Sequence, residues 1–147
     1  MIKFAKERVN LICNQLKGWS IVQKVHLDSM QVKEGCFITP AEADAAPGEW
    51  KNFDMGKDHW YGPDRHYWFR TEVTVPESFD GKELWLRIHT GLNDWDDGRN
   101  PQFLLFINGQ VIQGLDINHR EVFVKANAKA GETFRMDLQS YTGTLHD

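Results

Sequence analysis

The sequence predicts an all-β protein, an antiparallel β-sandwich preceded by one N-terminal α-helix, and three observations predict the sandwich. From residue 66 onward, apolar and polar residues alternate with period two in short runs. Turn signals at Pro76, Asp80-Gly81 and Asn108-Gly109 break those runs, about every ten residues. No helical period intervenes between one run and the next, so a parallel α/β sheet is disfavoured. At 147 residues the chain has room for one well-cored domain, expected as a helix over 1–18 and a sandwich over 19–147.

The elements follow in order. Ala5, Val9, Ile12 and Leu16 recur at spacings of four, three and four, which puts one apolar stripe on a helix, and Gly18 supplies a stop. Trp19 to Val25 is mixed and β-branched. Residues 39–48, with Pro40, Pro47 and small residues between them, read as an irregular loop. Tyr67 to Val75 alternates, with Phe69, Thr71, Val73 and Val75 on one face and Arg70, Glu72 and Thr74 on the other. Pro76 removes a ladder donor and ends the strand. In Glu83 to His89, Leu84, Leu86 and Ile88 face inward, and Trp85, Arg87 and His89 outward. The run Phe103-Leu104-Leu105-Phe106-Ile107 predicts a strand buried on both faces. Asn108-Gly109 then turns the chain into Gln110–Gln113 as a tight hairpin. Shorter strands are expected at about 121–124 and 133–138, after which the chain runs to Asp147 without a terminating signal, as if cut from a longer protein.

Composition narrows the function classes. A net charge of −4 without any basic block argues against nucleic-acid and anionic-membrane partners, which need clustered Lys and Arg. No apolar run is long enough to span a bilayer, and the charged start Met1-Ile2-Lys3-Phe4-Ala5-Lys6-Glu7-Arg8 is unlike a signal peptide. Cys13 and Cys36 alone make neither a disulfide framework nor a four-ligand zinc site, and they fit reduced thiols in a cytoplasmic protein. Six Trp, nine Phe and three Tyr mean a well-filled core, an aromatic binding face, or both.

Two constellations are candidates for contact. The first is His59-Trp60-Tyr61-Gly62-Pro63-Asp64-Arg65-His66-Tyr67-Trp68 together with Trp95. Aromatic planes suit the apolar faces of sugar rings, and Asp64, Arg65 and His66 suit hydroxyls. Trp60, Trp68 and Trp95 equally suit an interface with a neighbouring domain, where one end of a Trp is dry and the other wet. The second is Asp116-Ile117-Asn118-His119-Arg120-Glu121, read either as a solvated loop or as a docking surface.

Three longer motifs narrow the family. They are Tyr61-Gly62-Pro63-Asp64-Arg65-His66-Tyr67-Trp68-Phe69-Arg70, the run from Phe106 through Asn108-Gly109 and Asp116-Ile117-Asn118-His119-Arg120 to Val122, and Leu138-Gln139-Ser140-Tyr141-Thr142-Gly143. Together they resemble the N-terminal domain of glycoside hydrolase family 38 α-mannosidases of the cytosolic and bacterial type, and the resemblance implies an antiparallel jelly-roll β-sandwich of the galactose-binding-like kind. The resemblance implies a parent enzyme that hydrolyses terminal α-mannosides with retention. Its divalent metal, usually zinc, and its Asp nucleophile lie in a catalytic domain downstream. This domain would then be a non-catalytic accessory that packs on the catalytic domain and shapes the active-site rim. A module that binds mannose-containing oligosaccharides is the alternative. Self-association is also expected, because a sandwich cut near its last strand exposes an edge or an apolar patch.

No complete catalytic set accompanies the motifs. The family's catalytic domain opens on a metal-binding His-x-Asp pair, and His26-Leu27-Asp28 matches that spacing, but a catalytic zinc needs three protein ligands. Asp94, Asp96 and Asp97 read as turn formers rather than as the close carboxylate pair of a retaining glycosidase. Neither catalytic nor metal-ligating residues, and no cofactor, are therefore expected in this chain.

Overall fold

The computed structural model describes residues 5–90 and 101–143. A helix α1 (Ala5–Ser20) leads to strand β1 (Ser29–Glu34), a short helix α2 (Pro40–Ala45), and strands β2 (Lys51–Asp54), β3 (His66–Thr74) and β4 (Leu84–Arg87). Strands β5 (Gln102–Ile107), β6 (Gln110–Leu115), β7 (Glu121–Lys125) and β8 (Thr133–Tyr141) complete the chain. Six strands form one antiparallel sheet in the order β2-β1-β3-β8-β5-β6, and β4 pairs with β7 in a second. The expected all-β antiparallel sandwich with one N-terminal helix is the observed fold.

The strand patterns dictate which side chains meet. Across the central strands, Phe69, Leu138 and Leu105 are successive partners, so all three point to one face. With Met30, Phe103, Leu115, Met136 and Val122 they form the main core, against which Leu86, Ile88 and Val124 of the smaller sheet pack. The other face of the six-stranded sheet carries Trp68 and Phe106, with ring centroids 5.5 Å apart, under Ala43 of α2. Burial of β5 on both faces follows from this arrangement. The hairpin turn has positive φ at Asn108 (49°) and Gly109 (80°), the backbone that matches strand twist in a two-residue connection.

Three expectations are corrected. Gly18 does not stop α1, which continues to Ser20. Residues 39–48 are not wholly irregular, because Thr39 caps α2: its Oγ1 accepts from Glu42 N at 3.2 Å, and Pro40 opens the helix with its φ already set. Six residues are too few to display a helical period. Strands β1 and β2 pair with each other, although Gln31, Lys33, Lys51 and Asn52 dilute the period-two alternation of both. Strand β8 runs past Leu138 to Tyr141, three residues beyond its expected end. Among the described residues, no helix is long and apolar enough to cross a membrane.

Candidate functional site

Strand register gathers most of the candidate residues at one end of the sandwich. His66 opposes Tyr141, which opposes Gln102. One step inward, Tyr67, Ser140 and Phe103 form a row that continues to Leu115. The segment before β3, the turn after β6 and the chain after β8 therefore leave from the same end.

The segment before β3 is locked by the end of β8. Gly62 (φ 123°) and Asp64 (φ 52°) take left-handed backbone, and Asp64 N donates to Gly143 O at 3.1 Å. Tyr141 Oη donates to Asp64 Oδ1 at 2.9 Å, and Thr142 Oγ1 accepts from Arg65 N at 2.9 Å while donating to Gly62 O at 2.7 Å. Arg65 Nη1 pairs with Glu34 Oε1 at 2.8 Å on the surface. His66 and Tyr141 rings lie 4.9 Å apart. Tyr67 Oη donates to Tyr61 O at 3.0 Å, and burial together with the Glu34 carboxylate raises the Tyr67 phenol above its ordinary value.

The aromatics divide into three kinds. Trp60 is a core residue at the rim: its ring meets Tyr67, Phe69 and Phe103 edge-on at 5.6, 5.3 and 5.7 Å. The short Ser140 between Tyr67 and Phe103 leaves the space that the indole spans. Tyr61 is the reverse, 80% exposed. Between them lies an open cleft of about 540 Å³ lined by Val32, Glu34, His59, Trp60, Arg65 and Tyr67 among others. Trp68 is 0% exposed and points to the opposite face of the sheet, so it offers a sugar or a partner no surface. Its expected role as a contact residue is corrected by the register: in a pleated strand, Trp60's neighbours Tyr67 and Phe69 and the intervening Trp68 cannot share a face. Trp95, with the Asp94–Gly98 tract, lies outside the described residues.

The turn after β6 organises itself. Asp116 Oδ1 accepts from Asn118 N (2.8 Å), His119 N (2.6 Å) and His119 Nδ1 (3.1 Å). Burial alone pushes the Asp116 carboxyl up, but these donors outweigh it and hold it below the ordinary value. Arg120 Nε donates to Ile117 O at 2.8 Å, and its carbonyl accepts from Ile88 N at 2.9 Å, tying the turn to the end of β4. The amides of Asp116, Asn118 and His119 are thus bonded within the turn, and the His119 ring is largely exposed.

Sequence reasoning missed a charge network on the Trp68 face. Asp137, 0% exposed, accepts from Arg70 Nε at 2.5 Å and from Arg135 Nε at 2.8 Å. Both guanidinium groups also bond Asp44 on α2, Arg135 at 3.1 Å, and Arg70 stacks over Trp50 at 4.0 Å. Lys33 Nζ, buried beside them, donates to Ala43 O (2.7 Å) and Ala46 O (2.8 Å) at the C-terminal end of α2. These residues clamp α2 onto the sheet. The available signal was the apposition of Arg70 and Asp137, which only the register of β3 with β8 reveals.

His26 and Asp28 lie in the segment between α1 and β1. Among the described residues, no three His, Cys, Asp or Glu side chains converge as a metal-ligand set, so the pair lacks a third protein donor. No protein-family model matches the chain, and neither does any curated protein. Among solved structures it is similar to a β-glucuronidase from Ruminococcus gnavus, at 14% identity and a TM-score of 0.45, covering 84% of this chain and 23% of that one. The same enzyme in complex with D-glucaro 1,5-lactone matches at 12% identity and a TM-score of 0.44, covering 85% and 24%. The chain spans under a quarter of the length of these glycoside hydrolases.

Proposed function

We propose that this chain is a non-catalytic accessory domain of a family 38 α-mannosidase, which packs on the catalytic domain through the end of the sandwich formed by residues 61–66 and 116–120. One observation carries the reading. The three motifs that bear the resemblance, at 61–70, 106–122 and 138–143, are far apart in sequence, and strand pairing brings residues 61–67, 115–120 and 140–143 of them together at that end, while the Asn108-Gly109 turn lies at the other. A resemblance spread over framework positions alone would serve packing. Here it includes backbone locked in place by Asp64, Thr142 and Asp116, with Tyr61, Arg65 and His119 held outward on it. Preformed loops of this kind suit a fixed partner, because little ordering entropy is lost on contact. The metal and nucleophile that the resemblance implies belong to the catalytic domain, and the rim of its active site is where this end would sit.

The alternative, an independent module for mannose-containing oligosaccharides, rests on the open cleft beside Tyr61 and Trp60. A titration separates the two. Mannose and mannobiose are added to the purified chain while intrinsic Trp fluorescence is followed, and the chain is mixed with a family 38 catalytic domain made without its own N-terminal domain. Co-elution with the catalytic domain and a flat sugar titration are expected. A saturable sugar response without co-elution would assign the module instead.

A further inference from the structure

The Asn108-Gly109 turn closes the β5–β6 hairpin, and its two residues also carry a chemistry of their own. In an Asn-Gly pair the glycine's backbone nitrogen is an intramolecular nucleophile for the asparagine side-chain amide, and no side chain shields it. Asn108 is the one asparagine of this chain that is followed by glycine. Both residues are exposed. Apart from its chain neighbours, no described atom lies within 4 Å of where a Gly109 Cβ would stand, so water reaches the pair freely.

The fold grips Asn108 at two points. Its N–H donates to Arg135 O at 2.9 Å, and its Oδ1 accepts from Arg135 N at 2.9 Å. Backbone and side chain of one residue thus take both main-chain polar groups of Arg135, which carries the β5–β8 pairing one step past Ile107 and Met136. Arg135 is anchored in turn, because its guanidinium bonds Asp137 and Asp44. Ring closure needs Asn108 Cγ to meet Gly109 N, and with Oδ1 fixed on β8 the side-chain amide lacks the freedom to rotate there.

We propose that Asn108 is a site of spontaneous deamidation, gated by its grip on Arg135. While the two bonds hold, the turn is chemically silent. When they open, Gly109 N attacks Asn108 Cγ: the N–Cγ bond forms, the Cγ–Nδ2 bond breaks, and Nδ2 leaves as ammonia with the proton that Gly109 N gives up. Water then opens the succinimide at either carbonyl carbon, giving aspartate or isoaspartate, and no other reactant is needed. Aspartate keeps an oxygen for Arg135 N. Isoaspartate routes the main chain through Cγ and adds a backbone atom to a two-residue turn whose length sets the register of Gln110–Leu115 on Gln102–Ile107. The turn is then a slow, one-way record of hairpin opening.

The full chain is incubated at mildly alkaline pH with and without guanidinium chloride, and the peptide of residues 100–120, released by cleavage after Arg99 and Arg120, is followed by tandem mass spectrometry. In denaturant Asn108 should convert ahead of Asn118 in the same peptide, and in the native chain it should convert at least about tenfold more slowly. Amide exchange then compares the products. The isoaspartate fraction of aged chain should lose protection over residues 110–115, and Asn108→Asp should keep it. Equal rates with and without denaturant, or a faster native rate, overturn the proposal. So does conversion of Asn118 before Asn108, or equal protection in the isoaspartate fraction and in Asn108→Asp.

Discussion

Asp137→Asn perturbs the charge network on the covered face of the sheet, and its effect can be worked from the geometry. The Asp137 carboxylate is 0% exposed, and its two oxygens each accept one guanidinium hydrogen bond, at 2.5 and 2.8 Å. Asn keeps the shape and one acceptor oxygen but places an amide donor against an arginine donor, and it removes the charge that two buried or half-buried cations share. Breaking one partner of a buried charge group costs about 3–5 kcal/mol. For a domain of this size each kcal/mol moves Tm by roughly 2–4 °C, so a drop of about 6–20 °C is expected. Asp44→Asn touches the same two arginines, but its side chain is 40% exposed, so solvent screens the change and about 1 kcal/mol or less is expected. The assay is reversible urea and thermal unfolding of the two variants side by side. A loss below about 1 kcal/mol for Asp137→Asn, or a larger loss for Asp44→Asn, would refute the view that the buried carboxylate anchors the network.

Ser140→Ala should leave stability unchanged or raise it by up to about 1 kcal/mol, because the buried Ser140 hydroxyl has no hydrogen-bond partner among the described residues; a fall of more than that by urea unfolding would mean the hydroxyl is satisfied. Asp116→Ala should cost about 0.5–1.5 kcal/mol by releasing the amides of Asn118 and His119, whereas His119→Ala should stay within about 0.5 kcal/mol, and the reverse order in thermal melts would contradict the turn described here. Stability should fall in acid: burial raises the Asp44 carboxyl, the hydrogen bonds and charges of Arg70 and Arg135 outweigh it, and the net shift is downward from 3.8. A lowered carboxylate stabilises the fold above its unfolded value and loses that contribution as pH falls through the folded value, so Asp44→Asn should show a shallower acid loss than wild type between neutral pH and about pH 3.

Much of the fold was legible because period-two alternation is a local signal. Phe69 and Leu86 announce their faces from sequence alone, and Asn108-Gly109 announces its turn. What escaped depends on pairing between distant strands. Ser140 reads as a polar residue near a chain end, and only its place between Tyr67 and Phe103 explains why it is small. Asp44 sits in a run of small residues whose helix is created by the Thr39 cap and held by Lys33 and two arginines from elsewhere. The candidate site was half legible. Asp64, Arg65 and His66 were identified in one constellation and the Asp116 turn in another, which only the strand register brings to the same end, and Trp60 and Trp68 look alike in sequence but differ by which face of the sheet receives them.

Residues 61–66 and 117–120 stand together at one end of the sandwich, and amide hydrogen exchange reads that end directly. The purified chain is compared alone and mixed with a family 38 catalytic domain lacking its own N-terminal sandwich. Added protection at the backbone amides of residues 61–66 and 117–120, with α1 and the β4–β7 ribbon unchanged by the catalytic domain, is the predicted result. Absence of any complex, or protection confined to other surfaces, would contradict it.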